Sequence, residues 1–96
     1  MSKVLCTIKD IKAGYYFSPV MCNSVDEFKR IVYECVNSDV SSPVCKYPSD
    51  FQLYHVGEFD EHLGLVVGFP DVIYICDAIS LKGSSLNNSE EVLTAS

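Results

Sequence analysis

The chain has 96 residues, 48% of them apolar, and a net charge of −6, which fits one globular domain and excludes a two-domain or intrinsically disordered protein. No apolar run reaches the roughly eighteen residues of a membrane-spanning helix, and MSKVLCTIKD lacks the continuous apolar stretch of a signal peptide, so the chain is expected to stay in the cytosol. Residues 1–50 carry six basic and six acidic side chains, and residues 51–96 one basic and seven acidic, so no general cationic surface for nucleic acid is available.

Residues Lys3 to Lys9 alternate, with Val4, Cys6 and Ile8 on one side and Lys3, Leu5, Thr7 and Lys9 on the other. That is the period of a strand with one buried face. DIKAG, at Asp10 to Gly14, has turn chemistry, and Tyr15 to Cys22 is aromatic and β-branched enough for a second strand. Pro19 donates no N–H and places this strand at an edge or a bulge. The two segments predict a hairpin.

A helix follows. Ser24 is a good N-cap and Glu27 stands three residues later, the spacing of a capping box. Val25, Phe28, Ile31, Val32, Cys35 and Val36 recur at helical spacing as one apolar stripe, ending near Asn37. Residues 38–50, with two prolines and four serines, are predicted to be a loop.

A third strand is predicted at Phe51 to Val56, with Phe51, Leu53 and His55 on one face and Gln52, Tyr54 and Val56 on the other. Gly57 suits a bulge or a close backbone approach. Asp50 and Asp60 suit turn capping at either end. A fourth strand is predicted at Leu65 to Phe69. Pro70 and Asp71 interrupt, and Val72 to Cys76 supplies a fifth strand or leads into a short terminal helix. Residues 1–80 are expected to form the domain, and 81–96, rich in serine and asparagine, a disordered tail.

The predicted order is strand, strand, helix, strand, strand, with the fifth strand last. This gives an α+β fold, a small antiparallel sheet of four to five strands with one helix on one face. A five-stranded barrel of the oligonucleotide-binding type is the alternative.

Catalytic and metal chemistry find little support. Five cysteines (Cys6, Cys22, Cys35, Cys45, Cys76) are odd in number and unpaired in spacing, as expected of reduced thiols, with Cys45 beside Lys46 the one expected at the surface. His55 and His62 stand seven apart among Glu58, Asp60 and Glu61, a spacing that fits a strand histidine and an acidic turn better than a metal site. No nucleophile motif or phosphate-cradling glycine loop occurs, so the chain is expected to be non-enzymatic and without a cofactor. The residues suited to a partner or an unpaired base are aromatics interleaved with lysines: Lys9, Lys12, Tyr15, Tyr16, Lys46, Tyr47 and Tyr54.

Two stretches, CTIKDIKAGYYFSP and YPSDFQLYHVGEFD, resemble the small nonstructural protein of gokushovirus-type microviruses, phages with single-stranded DNA genomes. The matching positions are Asp10, Lys12, Ala13, Tyr16 and Pro19, then Pro48, Asp50, Phe51, Leu53, Tyr54, Gly57, Phe59, Asp60 and Gly64. Leu63 replaces the threonine usual before the last glycine. The resemblance implies an early phage protein of the host cytoplasm, acting around genome replication or packaging through protein contacts as a homo-oligomer. The alternative it leaves open is direct binding of single-stranded DNA.

Overall fold

The structure is a computed structural model that describes residues 2–83. Most of the expected tail thus lies outside the described residues. Strand β1 (Ser2–Asp10) is followed by two short strands, β2 (Tyr15–Tyr16) and β3 (Val20–Cys22), then helix α1 (Val25–Ser38). A one-turn helix, α2 (Pro43–Lys46), and a 3-10 turn at Pro48–Asp50 lead into β4 (Phe51–Asp60), β5 (Leu65–Asp77) and a final 3-10 turn at Ala78–Leu81. The fold is α+β, with an antiparallel, curled sheet in the order β2-β1-β4-β5 and β3 also on β1. The edge formed by β2 and β3 does not meet β5, so the described residues form an open sheet and not the alternative closed barrel.

Two hairpins share one turn. In each, an aspartate ends a strand and a glycine four residues later adopts positive φ, Gly14 at 82° and Gly64 at 69°. The glycine N–H donates to the aspartate carbonyl at 2.8 Å in both. The carboxylates hold the turns from inside: Asp10 accepts from Ala13 N–H at 3.0 Å, and Asp60 from His62 and Leu63 N–H at 2.9 and 3.1 Å. Asp50 works differently from the expectation. Its backbone carbonyl accepts from Ile11 N–H at 2.9 Å, linking the 3-10 turn to the first hairpin.

The segment predicted as one strand from Tyr15 to Cys22 is divided. Between β2 and β3, Phe17 donates its N–H to the Ile8 carbonyl at 2.8 Å, and its own carbonyl accepts from the Thr7 hydroxyl at 2.6 Å. Pro19 stands in this gap, where no ladder donor is required.

Helix α1 begins as its cap predicts, Glu27 N–H donating to Ser24 Oγ at 3.1 Å and the Glu27 carboxylate accepting from Asn23 N–H at 2.6 Å. Its buried face is Phe28, Val32 and Val36. Ile31 is 48% exposed and lies outside that stripe, a correction to the predicted face. The core unites this face with Cys6, Cys22, Phe51 and Leu53 from the sheet, and with Val44, Ala78 and Leu81 from the connections. Val44 and Cys45 are buried by α2, so the segment expected as a bare loop contributes to the core and Cys45 is not a surface thiol. Packing also runs past the expected boundary at residue 80. Leu81 is buried, and Asn37 binds the Leu81 carbonyl and Gly83 N–H through its amide.

The predicted fourth and fifth strands are one strand. Gly57 pairs with Gly68 and His55 with Ile73, so Phe69 to Val72 oppose Val56 alone and bulge outward around Pro70. A second bulge at Ile75 falls between the pairs Tyr54–Tyr74 and Leu53–Cys76. At the first bulge the backbones close in. A Cβ on Gly57 would lie 2.5 Å from the Val67 carbonyl oxygen, whereas one on Gly68 would meet nothing within 4 Å. Gly57→Ala is therefore expected to lower stability by about 2 kcal/mol or more, and Gly68→Ala to stay within about 0.5 kcal/mol of wild type, measured by urea unfolding.

Candidate functional site: a tyrosine ladder on the open face of the sheet

One sheet face carries the helix and the core; the other carries a row of rings. Thr7, Tyr54 and Tyr74 are register partners across β1, β4 and β5. Tyr16, on β2 opposite Lys9, reaches Tyr54 edge-on at a ring separation of 5.4 Å, and Tyr54 meets Tyr74 edge-on at 5.8 Å. Thr7 makes this possible. Its short side chain occupies the β1 position between the rings, and it is buried with its hydroxyl satisfied by Phe17.

Polar groups brace the row at the β5 end. Tyr54 donates to Gln52 Oε1 at 3.0 Å, Gln52 donates its amide to Asp77 Oδ1 at 3.2 Å, and Tyr74 donates to the same oxygen at 2.8 Å. The Asp77 hydrogen bond is the main cause that raises the Tyr74 phenol above its ordinary value near 10.0, because loss of that proton would set two negative charges together. At the other end the Lys9 ammonium lies 5.4 Å from the Tyr16 ring centroid. The ladder thus runs from a cation at β1 and β2 to a carboxylate at β5.

The residues singled out in the sequence divide over this frame. Lys9, Tyr16 and Tyr54 are brought together. Lys12 is exposed in the adjoining turn. Tyr15 neighbours Tyr16 in β2 and so points to the opposite face. Lys46 and Tyr47 lie in α2 and at its end, and no ring contact among the described residues joins Tyr47 to the ladder. Lys3 stands apart from Lys9. Lys3 and Lys9 are six residues apart on β1, roughly 20 Å, well beyond the ~8 Å screening length in physiological salt. Lys3 is moreover engaged by Asn23 at 2.6 Å and Glu61 at 3.8 Å.

Gln52, Tyr74 and Asp77 carry half of the ladder and were not among the predicted site residues. The signal was the alternation of Tyr74 with Ile73 and Ile75, which a strand register alone turns into a neighbour of Tyr54. His55 and His62 are separated, His55 stacked edge-on to Phe69 at 4.7 Å and His62 in the hairpin turn. The matched motif is largely structural. Pro48 opens the 3-10 turn, Phe51 and Leu53 are core, Gly57 is the close approach, and Asp60 and Gly64 form the turn. Phe59 is half-buried between Lys3 and Val66 in register.

Two thiols are set apart from reactivity. Burial pushes Cys6 up to about 11, with Cys22 nearby adding to it, and burial likewise raises Cys22.

The Tyr74–Asp77 bond predicts a titration. The raised phenol pKa contributes stability that is fully present below the unfolded value near 10.0 and is lost as pH climbs through the folded value. In ultraviolet difference titration, Asp77→Asn is expected to move one tyrosine to lower pH. An unchanged curve would contradict the bond.

Residues 3–81 match the family described as Phage ORF5 protein, which covers nearly the whole described domain. No curated protein and no solved structure matches the chain. The core, both hairpin turns and the tyrosine ladder all fall within the matched span, and the chain belongs to the phage ORF5 protein family.

Proposed function

We propose that this chain is a non-enzymatic early protein of a gokushovirus-type microvirus. It acts in the host cytoplasm around single-stranded DNA replication or packaging, by contacts with its own copies and with phage replication or packaging proteins. Membership of the phage family and the motif positions Asp10, Tyr16, Phe51, Tyr54, Gly57 and Asp60 support the viral reading.

One observation carries the mode of action. Strand β5 leaves Leu65, Val66, Val67, Val72, Ile73 and Tyr74 between 42% and 66% exposed, although it is the longest strand of the sheet. Two exposed apolar clusters along one edge strand of a small acidic protein favour burial against another chain. Helix α1 packs on β1, β3 and the last 3-10 turn, and of β5 only Ile75 and Cys76 join the core. Light scattering coupled to size exclusion across a hundredfold concentration range is expected to give a mass of two or more chains. A single-chain mass throughout would overturn the homo-oligomer.

The ladder favours a second reading, direct binding of single-stranded DNA by stacking on Tyr16 and Tyr54 with Lys9 and Lys12 on phosphates. With two cations the dependence of log K on log salt is expected to be shallow, a slope of roughly −1.4. Filter binding at low and moderate salt tests this. No retention at low salt removes the reading.

A further inference from the structure

The bulge at Ile75 decides what the tyrosine row ends on. In a regular strand Tyr74 and Asp77, three residues apart, point to opposite faces. Here Ile75 has no register partner between the pairs Tyr54–Tyr74 and Leu53–Cys76, so both side chains come to the open face. The Asp77 carboxylate therefore stands beside the last ring, with the Tyr74 hydroxyl 2.8 Å from Oδ1.

That carboxylate is only half used. Gln52 and Tyr74 both donate to Oδ1, and Oδ2 takes no hydrogen bond from the described residues. The one ion pair among those residues is Lys3–Glu61, so no lysine or arginine of the described chain neutralises Asp77. The rings beside it are open to a cation as well. Tyr54 and Tyr74 meet at 69°, and Tyr74 is 51% exposed. Among the described residues the single cation over a tyrosine ring is Lys9, at the far end of the row on Tyr16. One end of the ladder carries its own cation; the other has rings and a carboxylate without one.

Resting on the reading that the chain acts through contacts with other phage proteins, we infer that the corner of Tyr54, Tyr74 and Asp77 binds an arginine side chain of a basic partner protein. A guanidinium is planar, so it lies on the exposed Tyr74 ring and donates to Asp77 Oδ2 at once. A lysine ammonium is a strongly hydrated point charge and meets only one of those demands. The corner is braced before any ligand arrives, because Gln52 links the Tyr54 hydroxyl to the same Asp77 oxygen that holds Tyr74. Little side-chain freedom is then lost on binding. Charge selects the same partner. Residues 51–96 carry seven acidic side chains and one basic, which draws a basic chain and repels phosphates from this end of the ladder.

Two probes of equal charge test the site by NMR titration: a peptide alternating glycine and arginine, and its lysine counterpart. The arginine peptide is expected to shift the Tyr54 and Tyr74 ring signals and the Gln52 amide of the wild type. It is expected to bind about fivefold tighter than the lysine peptide. Asp77→Asn keeps an acceptor at Oδ1 and is expected to weaken arginine-peptide binding about tenfold. Glu34→Gln removes the same charge from the exposed side of α1 and is expected to leave binding within about twofold. The wild-type shifts and the arginine-to-lysine ratio need no variant. Equal weakening by both variants, or shifts confined to Lys9 and Tyr16, overturns the site. A single-stranded thymidine oligonucleotide that moves Tyr54 and Tyr74 when the arginine peptide does not overturns it in favour of nucleic acid. Movement of those rings on concentrating the protein alone overturns it in favour of a second copy. Absence of peptide binding overturns the arginine site and leaves the self-association above, which is read from mass, standing.

Discussion

The close approach of Gly57 to the Val67 carbonyl is the constraint on which the rest of the sheet depends. The two backbones come near enough to exclude even a methyl group, and just beyond that point β5 inserts its bulge around Pro70. Without a glycine the ladder would be pushed apart there, and the register that sets Tyr54 beside Tyr74 and Leu53 beside Cys76 would lose its anchor. Core and open face therefore share a single determinant. Leu53 is buried beneath the helix on one side, while Tyr54, the next residue, builds the tyrosine row on the other.

The helix covers only part of what the strands present. Phe28, Val32 and Val36 seal β1 and the start of β4, and the C-terminal turn closes the end through Leu81. Of β5, Ile75 and Cys76 pack against the core, whereas Leu65 to Val67 and Val72 to Tyr74 stay exposed. For a domain this small, which buries only about 60 to 65% of its unfolded surface, an apolar strip of that size is a sizeable unspent contribution to stability. Its position at the sheet edge, beside the final ring of the ladder, sets the proposed self-association next to the open face.

Much of this was legible in the sequence where a local rule dominates. The Ser24–Glu27 cap, the alternation of Phe51 and Leu53, the Asp60 turn and the tight fit at Gly57 each follow from a few neighbouring residues, and each appears in the structure. Failures came where distant contacts decide. Pro70 reads as a strand break, but a bulge on an unpaired edge accommodates it without a lost ladder bond. Val44, Cys45 and Leu81 sit in polar surroundings in the sequence and are buried because α1 offers them an apolar face. Ile31 has helical spacing for the core, yet lies at the margin of a stripe that the sheet does not reach. Of the candidate site, Lys9, Tyr16 and Tyr54 were recognisable by type; Tyr74, Gln52 and Asp77 required the β4–β5 register, which two bulges had shifted.

The proposed association centres on the exposed residues of β5, and amide hydrogen exchange of the native protein interrogates that strand directly. Amides within Val72 to Cys76 are expected to exchange slowly at concentrations where the protein is oligomeric and at least tenfold faster when it is diluted to single chains, while β1 amides do not change. Exchange in Val72 to Cys76 that is fast and independent of concentration would contradict it.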